Sequence, residues 1–166
     1  MRCRDALRST AEYACSNPEI QSLAREAVGD ASTPEEKVRR LVRFTGEHVA
    51  DAHSSSSVSA LDVLRDRSGD CTEHAMLFIA LCRAAGVPAR DVSGLMYAGD
   101  ELGAFGGHAW AEVAIDGRWV SADPTWDEFP VDATHIRLDR AGGSENLMRL
   151  MATPMKIEVV SVEKAK

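Results

Sequence analysis

At 166 residues the chain is long enough for one domain with a real apolar core. Its 45% hydrophobic and 27% charged residues suit a soluble globular protein, and no run is apolar for long enough to span a membrane. A formal net charge of -7, with no basic cluster interleaved with aromatics, excludes a broad phosphate-binding surface, so nucleic acid is not an expected partner.

In chain order, Cys3 to Ala14 reads as a short helical segment and Pro18 to Val28 as a second, separated by Ser16-Asn17-Pro18. The opening Met1-Arg2-Cys3-Arg4 carries the charges of a signal peptide but no apolar stretch follows it. The chain is therefore expected to be cytoplasmic or a soluble domain of a larger protein. Ser32-Thr33-Pro34-Glu35-Glu36 is a strong helix start, with a capping hydroxyl, proline at the first position and acids in the first turn. Val38, Leu41, Val42, Thr45 and Val49 then share one face, so this helix packs on the core through about His48. Asp51 to Ser57 reads as a mobile, solvated loop, and Ala60 to Arg65 as a short helix.

Ser68-Gly69-Asp70 delivers Cys71 to the start of a helix that is apolar on all sides from Ala75 to Cys82. Unpaired N–H groups and the dipole at a helix N-terminus favour a thiolate, which makes Cys71 the first candidate nucleophile. Gly69 is expected to supply a sharp turn there, and Asp70 or Thr72 to cap exposed amides. Arg83 to Pro88 contains the helix stop. Three strands follow at Ala89–Tyr97, His108–Ile115 and Arg118–Ala122, with a glycine-rich connection over Gly99–Gly107 and a tight Asp116-Gly117 turn. Thr134–Leu138 and Met155–Glu163 read as later strands. Helices followed by an antiparallel sheet make an α+β pattern, in three parts: helical 1–57, core 58–138 and C-terminal 139–166.

Counting outward from Asp116-Gly117 places His108 and Asp123 near the same end of a hairpin, offset by a couple of positions. A histidine after two glycines is poorly explained by packing. Asp123 before Pro124 is by itself an ordinary turn aspartate, and its combination with Cys71 and His108 gives it weight.

The blocks G-D-C-x-E-H-A at Cys71, G-H-A-W-A-E-V at His108 and D-P-T-W at Asp123 resemble the transglutaminase-like branch of the papain-like cysteine hydrolases. The resemblance runs from about Val58 to Leu138. It implies a papain-like α+β fold in which Cys71 is the nucleophile, His108 the general base and Asp123 the residue that orients the imidazole. It also implies acyl transfer from peptide or protein amides through a thioester, to water or to an amine, with no metal or organic cofactor. The oxyanion needs a second donor beside the Cys71 N–H. No Trp or Gln lies between residues 22 and 70, leaving His48, His53 and the serines at 54–57 as guesses.

Two other classes compete with this reading. A non-catalytic peptide-binding domain would keep the fold and use the cleft, although an intact Cys, His and Asp set weighs against it. A zinc module would use His74, on the Cys71 face of the helix, with His108 and Asp123, a combination rare for tetrahedral zinc. Cys71 and Cys82 stand roughly 16 Å apart on one helix and cannot bridge. Cys82 reads as a core residue, and Cys3 with Cys15 as a pair or as unused thiols. Trp110, Trp119 and Trp126 read as core or cleft-wall aromatics, and His135 has no assigned role.

Overall fold

The computed structural model describes residues 4–52 and 57–138. Cys3, His53, Ser54–Ser56 and the expected strand at Met155–Glu163 lie outside the described residues. Four helices, α1 (Pro18–Val28), α2 (Pro34–His48), α3 (Ala60–Asp66) and α4 (Cys71–Ala84), precede a sheet built from β3 (Ala89–Tyr97), β4 (Phe105–Ile115), β5 (Arg118–Ala122) and β6 (His135–Arg137). Two-residue strands β1 (Ala50–Asp51) and β2 (Ser68–Gly69) pair in parallel just ahead of α4. This is the α+β arrangement expected. No helix among the described residues is long and apolar enough to cross a membrane.

The centre of the molecule is α4, which packs against α1, α2 and α3 and against β3 and β4. Every residue from Glu73 to Arg83 is buried, the placement that an all-round apolar helix requires. Its start is fixed by a reciprocal capping box: Asp70 accepts from the Thr72 N–H at 2.7 Å, and the Glu73 carboxylate accepts from the Asp70 N–H at 2.9 Å. The α2 start carries a capping box of its own between Thr33 and Glu36, and Val38, Leu41, Val42 and Thr45 are buried as their spacing predicts.

Gly69 serves a different purpose from the turn expected of it. Its φ is not positive; instead, a Cβ there would lie 2.2 Å from Glu73 Cβ and 2.5 Å from Glu73 Cγ. The capping carboxylate folds back over residue 69, so the space belongs to Glu73. Gly69→Ala must push that side chain off the Asp70 amide. We expect it to destabilise the protein by about 1–3 kcal/mol in chemical denaturation, with loss of order at the α4 start.

The sheet order is β5-β4-β3-β6, antiparallel throughout. Asp116 and Gly117 both have positive φ, 49° and 77°, the signature of a type I′ turn, and the ladder runs from Ile115↔Arg118 to Ala111↔Ala122. Continued one step, this register sets Asp123 opposite Trp110, two positions from His108. The offset counted from the sequence is therefore present. It is absorbed by side-chain reach and by a departure of the chain, since Asp123 exchanges two 2.9 Å backbone hydrogen bonds with Glu128 instead of continuing along β4.

Three elements differ from expectation. The segment before α1 forms only a 3₁₀ turn at Asp5–Leu7, because Arg8 is extended and its carbonyl accepts from buried Arg83 at 3.0 Å. Strand β4 begins three residues earlier than predicted: pairing continues to Tyr97↔Phe105, whose rings meet at 5.4 Å, which shortens the glycine-rich connection. Trp126 is 59% exposed, so it is neither core nor cleft wall.

Candidate active site

Cys71 is the first residue of α4 and is partly exposed. Its backbone N–H sits where an α-helix has no internal acceptor, pointing out of the positive end of the dipole. The turn before it is tied down by the β1–β2 pair and by the Ala52 N–H, which donates to the Gly69 carbonyl at 2.9 Å. Cys15 and Cys82 are buried free thiols, and burial pushes the Cys82 thiol well up.

His108 lies near the start of β4, 6% exposed. Its Nε2 is 2.6 Å from Asp123 Oδ2, and its ring shares the wall of one cleft with the Cys71 side chain, near enough for the two to interact electrostatically. Burial acts to strip the imidazole of its proton, but the hydrogen bonds and charges of Asp123 and Cys71 outweigh it and raise its pKa to about 9. Asp123 is fully buried. Burial alone would raise its pKa; the His108 hydrogen bond and charge, with contributions from His135 and the Thr125 amide, bring it below the ordinary carboxylate value. The structure thus brings Cys71, His108 and Asp123 together in the order sulfur, imidazole, carboxylate.

A fourth residue joins them. His135 Nε2 is 3.0 Å from the same Asp123 Oδ2, and its ring meets Trp110 edge-on at 5.2 Å. Sequence reasoning passed over it; the available signal was a histidine at the head of a strand after an Asp-x-Thr turn, where Asp132 accepts from the Thr134 amide at 2.8 Å.

Donor atoms of His108, Asp123 and His135 cluster closely enough to hold a metal ion, as do those of Glu128, Asp132 and His135. In the first group, however, Asp123 Oδ2 faces both imidazole Nε2 atoms and Oδ1 accepts from the Thr125 N–H at 2.9 Å, so the carboxylate is already satisfied. Neither group includes His74. Its Nδ1 faces the Asp70 carbonyl at 2.8 Å and its Nε2 the Val49 carbonyl at 3.0 Å, fixing the first turn of α4 to the chain after α2.

A cleft of about 300 Å³ opens beside Cys71 and His108, lined by apolar Met76, Ile79, Val92 and Trp110 and also by Glu12, Tyr13 and Asp91. Trp119 lies elsewhere, under the Arg90 guanidinium at 3.8 Å. His48, a candidate second oxyanion donor, stacks on Phe44 and contacts Arg67, outside the cleft wall.

A profile of the transglutaminase-like superfamily matches residues 21–124. The chain is 33% identical over 156 residues to a protein-glutamine gamma-glutamyltransferase of Pseudomonas aeruginosa, covering 84% of this chain and 23% of that protein. It is 31% identical over 124 residues to the human kyphoscoliosis peptidase, covering 68% and 19%. The chain spans about a fifth of the length of these relatives. Among solved structures it is similar to a candidate cysteine protease from Cytophaga hutchinsonii, with a TM-score of 0.68 at 26% identity over 81% of this chain and 45% of that one. It is also similar to the periplasmic domain of TgpA from Pseudomonas aeruginosa, with a TM-score of 0.58 at 25% identity over 75% and 47%.

Proposed function

The chain belongs to the transglutaminase-like superfamily, and from that premise we propose that it is a cysteine-dependent acyl hydrolase or acyl transferase acting on amide bonds of peptides or proteins. The observation that carries the reading is that Cys71, at the start of α4, and His108, bonded to Asp123 at 2.6 Å, line one cleft.

The Cys71 sulfur attacks the carbonyl carbon, forming a C–S bond while the C=O electrons move to oxygen. The Cys71 N–H donates to that oxyanion from the α4 start. As the carbonyl reforms, the C–N bond breaks and His108 passes its proton to the departing amine, leaving a thioester. Water or a second amine then attacks the thioester with His108 as base, returning the thiolate and imidazolium. Asp123 holds the imidazole so that the protonated nitrogen faces the reaction. The apolar walls suit an uncharged side chain, and Glu12 and Asp91, which also line the cleft, disfavour an acidic one.

The test incubates the protein with a glutamine-containing peptide library, with and without methylamine, and follows intact masses. An acyl adduct on Cys71, with release of ammonia or cleaved peptide in water and an N-methylamide when methylamine is present, is the expected result. Peptides retained unchanged, with no adduct at any pH, would identify a binding domain instead.

A further inference from the structure

The scheme above gives His135 no task, yet its side chain is 1% exposed and the structure builds a place for it. Strand β6 approaches β3 at Gly94, where a Cβ would lie 2.2 Å from the Ile136 carbonyl oxygen and 2.5 Å from the Trp110 ring. At the other end of β6, Arg137 and Arg90 grip the two oxygens of buried Glu112, which anchors the strand to β3 and β4.

Every partner of the His135 ring is an acceptor. Nε2 faces Asp123 Oδ2 at 3.0 Å. Nδ1 faces Thr134 Oγ1 at 3.1 Å, with Glu128 Oε2 at 3.7 Å and Asp132 Oδ1 at 3.9 Å. The Thr134 hydroxyl spends its own proton on Asp132. Glu128 Oε2 is buried with no hydrogen-bond partner. One carboxylate oxygen therefore takes N–H groups from two imidazoles, and what it gives to one it withholds from the other.

We propose that His135 is a positioning residue of this site: its Nε2–H fixes Asp123 Oδ2 and limits how strongly that carboxylate holds the proton on His108. The inference rests on His108 as proton carrier. A base that holds its proton too firmly delivers it slowly to a leaving amine, so a moderated carboxylate favours turnover. The ionisable groups facing the two imidazoles are Asp123 after β5, Cys71 on α4, and Glu128 and Asp132 on the segment before β6.

The test is an NMR titration of the His108 ring in the full chain with ¹³C-labelled histidine, for wild type, His135→Phe and His135→Gln. Phenylalanine fills the place beside Trp110 without a donor, whereas glutamine keeps an N–H. The His108 midpoint should rise by roughly half a unit to one unit in His135→Phe and stay at the wild-type value in His135→Gln. His135→Leu, smaller and equally without a donor, carries the same expectation should the phenylalanine variant fail to fold. An unchanged or lowered midpoint in the donor-free variant, or an equal rise in His135→Gln, would overturn the proposal. Iodoacetamide labelling of the same samples keeps the two readings apart: wild-type Cys71 reacting no faster than Cys15 sinks the catalytic one, while the titration alone decides this one.

Discussion

Cys71→Ala is expected to abolish adduct formation and to lower turnover by as much as about 10⁶-fold, the scale seen when a covalent nucleophile is removed from a triad that acts as a unit. The fold should survive. Residue 71 is partly exposed at the first position of α4, alanine is the best helix former, and the capping box between Asp70 and Glu73 does not involve the sulfur. Circular dichroism should therefore match wild type, and the denaturation midpoint should fall only by the share of the His108 stabilisation that Cys71 supplies. The other described thiols cannot take over the reaction, because Cys15 is 7% and Cys82 0% exposed. Peptide mapping after brief iodoacetamide treatment should find Cys71 labelled first. Undiminished turnover in Cys71→Ala would show that the chemistry does not pass through this sulfur.

What was legible in the sequence follows from how local each determinant is. The α2 start, the Asp116-Gly117 turn and the all-apolar α4 are set by residues within a few positions of one another, and each stands where patterning puts it. The hairpin count also placed Asp123 two positions from His108, because a two-residue turn fixes register for both strands. Non-local causes were invisible. Gly69 is needed for a contact with Glu73, and α4 must form before that contact exists. His135 gains its partner only when β6 docks twelve residues after Asp123, through a loop whose path no periodicity encodes. The buried Arg90 and Glu112 pair reads in one dimension as surface charge on alternating strands, and becomes interior only when β6 brings half-buried Arg137 over it. Motif spacing thus points to Cys71, His108 and Asp123, and packing sets His135 beside Asp123.

Removing His108 should change how Cys71 responds to pH more than any other substitution at the site. The imidazole keeps its proton up to about pH 9, since the Asp123 and Cys71 hydrogen bonds outweigh burial. A cation in contact with a sulfur favours the ionised sulfur. Wild-type Cys71 should therefore alkylate at a rate that persists into mildly acidic solution. In His108→Ala, alkylation of Cys71 should slow across the range below about pH 9 in which the imidazole carries its charge, and its dependence on pH should change shape. Stability should move in the same window. A histidine whose folded pKa lies above its unfolded value of about 6.5 stabilises the fold fully below that value. That contribution is lost as pH rises through about 9. His108→Ala should flatten the alkaline decline of the unfolding free energy. Asp123, lowered in the fold, contributes with the opposite sign: its share is present above about pH 4 and is lost on acidification. That acid-side loss should shrink without vanishing, because His135 and the Thr125 amide still hold the carboxylate. Superimposable alkylation profiles for wild type and His108→Ala would mean that imidazole and sulfur are neighbours without being coupled.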